Sequence, residues 1–384
     1  MADLDRILPL WRELESASAD YILATVVAVE GSSYRRPGAC MLLAPDGRRA
    51  GTVSGGCLEG EVARRAWWLT AKGPIVHRYS TAEEDGERPY GSGCGGIIWL
   101  LLERRPTAAP LLHAFDQSFQ RRIPLAVAVI LEGEHTGSRA FAGLDSSADS
   151  GSALAPLQQL AQLSLEGKLS LEEKIEVQGI QTPAWTDFRP ARPGLGIFGA
   201  GDDAQPLLRL AKELGWFVTV ADGRSHLVTR ERFPVADELH ILPVKDLPLN
   251  PANAPTLALA NLRPHDAVVL MTHSFEQDSR VLASMFATSE LPAYVGVLGP
   301  QRRTRELLAE AAQLLHLPAD PLSSGPQIER WFQQLHAPTG LDLGAESPET
   351  VALSILAEIL KSLNAATALP LRQVRATEPA EKTR

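Results

Sequence analysis

The most restrictive feature of this sequence is the short segment Gly199-Ala200-Gly201-Asp202-Asp203-Ala204, which lies between an apolar run and an amphipathic run. Gly199, Gly201 and the small Ala204 fit the G-x-G-x-x-G/A pattern. There the first glycine permits a tight turn, the second admits a pyrophosphate to the backbone, and the small third residue lets helix and strand pack closely. The N–H groups at the helix start would attract an anion. The segment therefore predicts the first strand-to-helix turn of a Rossmann-type fold.

An acid at the end of the next apolar run supports this fold. Asp222 comes about 20 residues after Gly199, where such folds bind the ribose 2′-hydroxyl of a dinucleotide. Asp202 and Asp203, in contrast, would repel a bound phosphate unless they point away from it. Two interpretations stay open: a nucleotide site, or glycines and an acid that only shape and cap turns.

The pattern of strands and helices divides the chain in two. From residue 194 apolar runs alternate with helical patterns, which predicts a parallel sheet with helices on both faces. The first half instead shows strand-like runs separated by glycine-rich turns. Because 384 residues suffice for two cores, we predict an α/β chain. It comprises an N-terminal α+β domain over 1–190, a C-terminal Rossmann-like domain over 191–364 and a tail over 365–384.

Two stretches of the first domain are harder to interpret. Residues 142–172 are rich in Ser, Ala, Leu and Gln, and we assign no structure to the first half of this low-information segment. The proline-punctuated stretch PAWTDFRPARPG predicts a linker. Near the other end of the chain the signal is clear, because Ser347 followed by Pro348 predicts the N-cap and first position of the last long helix.

Charge and cysteine content narrow the classes of function. A net charge of -9 disfavours binding to nucleic acid or to an anionic membrane. The opening MADLDRILPLWRELES resembles neither a secretory signal nor a membrane span, so we expect a cytoplasmic protein. Its cysteines, Cys40, Cys57 and Cys94, form no C-x-x-C pair, which argues against a disulfide framework and a zinc site.

Cys57 is the leading reactive residue. It follows Ser54, Gly55 and Gly56 and falls just before or at the start of a predicted helix. A thiol at a helix N-terminus has its thiolate favoured by the helix dipole, as a nucleophile or a soft-metal ligand requires. The alternative is a small buried side chain in a tight turn.

Two further loops of the first domain could bind an anion. In GSGCGG, Gly95 and Gly96 leave the thiol of Cys94 uncrowded and backbone N–H groups available. The loop GSSYRRPG combines hydroxyls and glycines with Arg35, a mixture suited to an oxyanion or phosphate. Packing for Cys94 and a plain turn for the Arg35 loop are the alternatives.

Polar residues also follow two later strands of the predicted parallel sheet, at the edge where ligands of open α/β folds bind. His273 comes after DAVVLMT and could act as an acid–base group, or simply bond to backbone. Asp278, in the next helix start, is more typical of a solvated or capping acid. Arg302 and Arg303 open another helix and suit a phosphate, although most such arginines are solvated.

These motifs occur in one order along the chain. The first half contains VEGSSYRRPGACM, GTVSGGCLEGEV and GCGG, and the second contains LGIFGAGDDAQPL, VTVADGR, ERFP, VLMTHSFEQD, YVGVLGPQRRT and PTGLDLGAESPETVALSILAEI. Together they resemble the XdhC/CoxI family, bacterial accessory proteins of xanthine dehydrogenase and related molybdenum hydroxylases. Residues 105–190 carry little of this pattern.

The resemblance implies a maturation chaperone rather than an enzyme with its own turnover. Such a protein binds the molybdenum cofactor, as molybdopterin or its dinucleotide form, protects it while a cysteine desulfurase partner supplies sulfur, and delivers it to a hydroxylase such as xanthine dehydrogenase. It also implies a homodimer. The family positions present here are Cys57, Cys94 with Gly95 and Gly96, Gly199 to Gly201, Asp222 and His273. With a molybdenum cofactor implied by the resemblance, Cys57 becomes the candidate for a contact with molybdenum.

Two other functions stay open at this point. The glycine turn with Asp222 is typical of an NAD(P)-dependent oxidoreductase, in which His273 would be the acid–base group. A non-catalytic module that only bridges desulfurase and hydroxylase would need neither thiol nor nucleotide. If the cofactor binds, the Rossmann cleft could hold its phosphate end while the thiol loops cover the metal end.

Overall fold

A computed structural model describes residues 2–80, 96–144, 154–247, 261–287, 291–317 and 321–374. The chain divides into two compact units, Met1–Arg192 and Pro193–Arg384. Two predicted site residues, Cys94 and Gly95, lie outside the described residues, whereas Gly96 lies inside them. Each unit is α/β in composition, but their sheets differ in kind.

The N-terminal unit begins with a five-stranded antiparallel sheet in the order β3-β2-β1-β5-β4. The β1 strand is buried along most of its length, and Leu23 packs on one face while its neighbours Ile22 and Ala24 pack on the other, as the alternation of a strand requires. The strands are β1 (Ile22–Glu30), β2 (Cys40–Leu43), β3 (Arg49–Gly51), β4 (Ile75–Ser80) and β5 (Ile97–Arg104).

Helices cover both faces of this sheet. The side of Leu23 packs against α1 (Ala2–Ser16) and α3 (Arg105–Arg121), and Cys40 is buried in the same core. The side of Ile22 packs against α2 (Glu59–Leu69) through Val62 and Ala66. Because α2 follows directly on the loop of Cys57, this packing fixes where that loop lies.

A second antiparallel sheet completes the N-terminal unit, in the order β7-β6-β9-β8. The linker prediction for PAWTDFRPARPG was wrong, since most of it forms the end of a long strand in which Trp185 and Thr186 are buried. The prolines hid an apolar pattern, and one of its two partner strands, Leu125–Ile130, lies far away in the sequence. The elements are β6 (Leu125–Ile130), β7 (Arg139–Ala142), α4 (Ala155–Gly167), β8 (Glu172–Val177) and β9 (Ile180–Arg189).

The C-terminal unit confirms the predicted Rossmann-like sheet. Five parallel strands lie in the order β12-β11-β10-β13-β14, so the chain starts at the centre, moves to one edge and then returns to build the other. This reversal places a crevice at the carboxyl ends of the central strands. The strands are β10 (Gly194–Phe198), β11 (Phe217–Asp222), β12 (Glu238–Ile241), β13 (Ala267–Leu270) and β14 (Tyr294–Val297).

Helices lie on both faces of the parallel sheet, as predicted. One face carries α5 (Ala204–Glu213) and α9 (Pro348–Leu363). The other face carries α6 (Phe275–Phe286), α7 (Gln301–Leu314) and α8 (Pro321–Gln333). The four-residue α10 (Leu371–Val374) follows.

The start of α9 is confirmed in detail. The hydroxyl of Ser347 accepts a hydrogen bond from the backbone N–H of Thr350, and the Thr350 side chain bonds back to the Ser347 backbone, a capping box that satisfies two free donors. Among the helices of the described ranges, none is long and apolar enough to span a membrane.

Candidate functional site

The glycine turn between β10 and α5 needs Gly199 for two reasons. Its φ of 136° is unfavourable for other residues, and a Cβ there would lie 2.4 Å from the carbonyl oxygen of Met271. Ala204 is fully buried in the core between α5 and the sheet. Gly201 meets no such backbone, because its nearest neighbour is the flexible Asp203 carboxylate.

Asp222 is turned inwards and holds this glycine turn. Its fully buried carboxylate accepts hydrogen bonds from the backbone N–H of Ala200 at 2.9 Å and from the guanidinium of Arg224 at 2.7 and 3.0 Å. Burial alone would raise the pKa of Asp222, but the hydrogen bonds from Arg224 and Ala200 outweigh it and the pKa is lowered. The same contact raises the pKa of Arg224. The Asp222 carboxylate is therefore ionised, and its hydrogen bonds hold the turn in place.

The two acids inside the turn are paired with basic groups. Asp203 Oδ2 lies 2.8 Å from Nε2 of His273, and Asp202 accepts a hydrogen bond of 2.8 Å from Arg232. His273 is 62% exposed and adopts a left-handed φ of 58° in the loop between β13 and α6. The ion pair with Arg232 offsets the negative charge that Asp202 would otherwise place beside a bound anion.

The two arginines at the start of α7, Arg302 and Arg303, have different surroundings. Arg303 donates to Asp278 at 2.7 Å, and Asp278, which the sequence suggested was solvated, is fully buried and also accepts from Thr272. That expectation for Asp278 was wrong, because its partners come from the end of β13 and from α7. Arg302 is 89% exposed and pairs with Glu306 one turn along the helix.

In the N-terminal unit, the glycine-rich loops come together. A Cβ on Gly55 would lie 3.5 Å from the ring of Tyr34, so the Arg35 loop packs on the Cys57 loop. A Cβ on Gly96 would lie 2.1 Å from the carbonyl oxygen of Ser32, so the end of the GCGG motif also packs on the Arg35 loop. We call these residues (Ser32–Tyr34, Ser54–Cys57 and Gly96) the loop cluster.

The Cys57 loop is held by a carboxylate from α2. Glu59, 2% exposed, accepts hydrogen bonds from the backbone N–H groups of Val53 and Ser54 at 3.2 and 2.9 Å and from Ser54 Oγ at 2.6 Å. Burial would raise the pKa of Glu59, but the hydrogen bonds from Ser54 and Val53 outweigh it and the pKa is lowered. The acid at the helix start is thus part of the loop rather than a solvated dipole partner.

Cys57 is a half-buried thiol two residues before α2, as predicted. Its sulfur lies 3.6 Å from Ser54 Oγ, whose own proton is donated to Glu59. Ser54 can therefore only accept from Cys57, and the contact requires the thiol proton. Cys57 is therefore the donor and Ser54 the acceptor in this contact.

Arg35, the remaining predicted anion ligand of this unit, forms an ion pair with Asp3 of α1. Sequence reasoning also missed partners of the other site residues. Arg224 follows Asp222 by two positions, so the sequence could have indicated that the predicted ribose-binding acid has a basic partner. The folding back of Glu59 onto Ser54 and the contact of Tyr34 with Gly55 carry no local signature, because they depend on loop shape.

Sequence models of two known families match this chain. The model described as the XdhC Rossmann domain matches residues 195–359, and the model described as the XdhC and CoxI family matches residues 14–80. The first match covers the parallel sheet from β10 to α9, and the second runs from α1 to the end of β4, which includes the Cys57 loop.

Curated relatives match along most of the chain. A protein of Bacillus subtilis (strain 168), named as a probable subunit of xanthine dehydrogenase, is 31% identical over 351 residues, which cover 89% of this chain and 92% of the relative. The molybdenum cofactor insertion chaperone PaoD of Escherichia coli (strain K12) is 27% identical over 347 residues, covering 88% and 82%. A crystal structure from Bacillus halodurans, described as a xanthine dehydrogenase, is similar with a TM-score of 0.67 and 26% identity, covering 97% of this chain and 98% of that one.

Proposed function

Since the chain belongs to the XdhC and CoxI family, we propose that it is an accessory factor that binds the molybdenum cofactor as cargo and inserts it into a xanthine dehydrogenase-type hydroxylase. One relative carries the name molybdenum cofactor insertion chaperone. The observation on this chain that carries the proposal is the loop cluster, in which three glycine-rich loops meet beside one half-buried thiol.

The loop cluster fits the metal end of such a cargo. A molybdenum centre needs soft ligands or close shielding from water and oxidant, and Cys57 is the soft donor there. Among the described residues, no atom lies within 4 Å of the Cβ position of Gly56, which leaves space for a ligand beside Cys57. The cargo supplies the metal and its sulfur chemistry, whereas the chain's residues hold, orient and shield it.

We extend the proposal to the course of maturation. The chain protects the cofactor, as molybdopterin or its dinucleotide form, while a cysteine desulfurase supplies the terminal sulfur, and then delivers it to the hydroxylase in the cytoplasm. It acts as a homodimer and without a turnover of its own. Release of the cargo would restore the contact between Cys57 and Ser54, which gives the empty state a defined resting form.

An NAD(P)-dependent oxidoreductase is the second candidate, favoured by the strand order and by the turn at Gly199. The surroundings of Asp222 argue against it. Both oxygens of this fully buried carboxylate already accept hydrogen bonds from Arg224 and Ala200, so it has no exposed oxygen for a ribose hydroxyl. A module that only bridges desulfurase and hydroxylase would not need the loop cluster.

The test is to incubate the protein with cofactor released from a molybdenum hydroxylase, pass it through gel filtration without oxygen and measure pterin fluorescence in the protein peak. We expect pterin to comigrate with the chain, and NAD(P) titrated separately to give no saturable binding at micromolar concentration. Absence of pterin together with micromolar NAD(P) binding would contradict the proposal. Normal maturation of a hydroxylase by a variant that cannot bind pterin would favour the bridging role.

A further inference from the structure

The N-terminal unit contains a polar pocket that the proposed function does not use. It has a volume of about 410 Å³ and lies between the Arg35 loop and the end of β9. Three arginines and two acids line it, which leaves an excess of positive charge in a chain whose net charge is -9. These charged residues are Asp3, Arg35, Arg36, Asp187 and Arg189.

The wall formed by Arg189 is rigid. Its Nε donates to Asp187 at 2.6 Å, its Nη2 donates to the carbonyl oxygen of Gly38 at 2.6 Å, and its guanidinium lies 4.1 Å from the ring centre of Phe115. The side chain is only 13% exposed. Gly38 has a φ of 93°, and a Cβ there would lie 2.7 Å from Asp187. This wall is therefore fixed before any ligand arrives.

The opposite wall has hydrogen-bond donors to spare. Arg35 pairs with Asp3, but its Nε is buried and has no hydrogen-bond partner among the described residues. Arg36 is exposed and forms no ion pair with any residue that the structure describes. The exposed guanidinium of Arg36 is therefore the donor of this wall that an incoming anion can reach directly. Planar guanidinium groups around one pocket suit a phosphate.

We infer that this pocket binds a phosphate monoester or diphosphate group and, on the basis of the proposed function, that it holds the phosphate end of the pterin cargo. Tyr34 supports the second step because it lines the pocket and also packs on Gly55 in the loop cluster. Tyr34 is 78% exposed, so its ring can stack on a planar ring system. The N-terminal unit then contacts the phosphate, the ring and the metal end of one ligand.

The first test is calorimetric titration of the full chain with inorganic phosphate and with pyrophosphate. Charge reversal at the exposed Arg36 leaves the fold intact, and we expect Arg36→Glu to weaken binding by about tenfold or more. The matched control is Arg49→Glu, an exposed arginine on β3 outside the pocket, which should bind as wild type does. No binding by the wild type, or equal loss in both variants, would overturn the inference.

The second test separates the inference from the proposed function. Pterin retention after gel filtration is compared for the wild type, Arg36→Glu and Arg49→Glu. Loss confined to Arg36→Glu supports the pocket as the phosphate subsite of the cargo. Full retention by Arg36→Glu overturns that assignment and leaves the proposed function standing. Failure of the wild type to retain pterin contradicts the proposed function, and the phosphate titration then decides on the pocket.

Discussion

In each of the two glycine-rich regions of this chain a buried carboxylate holds the loop, but the charged groups around the two carboxylates differ. Each has a buried carboxylate that accepts backbone N–H groups of its loop: Asp222 at Ala200 and Glu59 at Ser54. Asp222 also has a guanidinium partner, Arg224. Glu59 has hydrogen bonds but no basic partner among the described residues.

The difference extends to the rest of each loop. In the Rossmann unit Asp202 and Asp203 are bound to Arg232 and His273 across the turn. In the N-terminal unit the thiol of Cys57 lies next to Gly56, beside which the described residues leave space for a ligand. The Asp222 carboxylate has no oxygen left for a ligand, so we propose that the reactive chemistry belongs to the loop cluster and that the turn at Gly199 has a stabilising role.

The largest expected effect on the free energy of unfolding comes from replacing a glycine in each of the two regions by alanine. Gly199 and Gly56 both have positive φ, but only at Gly199 would a Cβ meet a backbone carbonyl. Gly199→Ala should reduce the free energy of unfolding by about 3 kcal/mol or more, whereas Gly56→Ala should cost about 1–2 kcal/mol. Urea unfolding followed by circular dichroism measures both. Equal costs would mean that the turn at Gly199 is not packed as described.

The Asp222–Arg224 pair gives the next effect. Asp222→Asn leaves the guanidinium without its charged partner and should cost about 2 kcal/mol at pH 7. Because the pKa of Asp222 is lowered on folding, its contribution is complete above the ordinary value of 3.8 and is lost as the pH falls through the lower folded value. The difference between wild type and variant should therefore shrink in acid. A constant difference from pH 7 to pH 3 would contradict this.

Glu59 should show a smaller effect of the same sign. Glu59→Gln removes a charged acceptor of three hydrogen bonds and should cost about 1–2 kcal/mol at pH 7. The pKa of Glu59 is also lowered, so this loss too should fade below the ordinary value of 4.5. Glu61→Gln is the control, because it alters an ion pair with the exposed Arg65 one turn along the same helix. It should change the urea midpoint little.

The smallest expected effect concerns thiol reactivity. Ser54→Ala removes the acceptor of the Cys57 thiol proton, and the rate of alkylation at Cys57 by iodoacetamide should change by about two- to fivefold. Site-resolved mass spectrometry distinguishes the thiols. Cys40 is buried and burial raises its pKa, so it should stay unmodified in both proteins. An unchanged Cys57 rate would show that the contact with Ser54 is not formed.

Much of the fold follows from local patterns. The alternation of strands and helices predicts the parallel sheet, and Ser347 with Pro348 predicts the cap of α9, because both signals lie in adjacent residues. The strand β9 was missed because Pro183 interrupts its pattern, Pro190 follows its end, and one of its two partners, β6, is remote in sequence. Its stability comes from burial of residues such as Trp185 within the sheet.

The candidate site was less predictable than the fold. The positions of Cys57, Gly199 and Asp222 follow from the sequence, since each adjoins the start of a helix or the end of a strand. What these residues bond to does not. Asp222 looks free to bind a ribose until Arg224 and Ala200 are seen to occupy it. Side-chain direction at a loop depends on tertiary contacts, which no local pattern records.

The most direct test of the central claim is cofactor retention by matched variants. Wild type, Cys57→Ala, Cys40→Ala and Asp222→Asn are loaded with released molybdenum cofactor without oxygen, and pterin and molybdenum per chain are measured after gel filtration. We predict that Cys57→Ala loses the cofactor while Cys40→Ala and Asp222→Asn retain it. Full retention by Cys57→Ala with loss in Asp222→Asn would contradict this prediction and assign the cargo to the Rossmann turn.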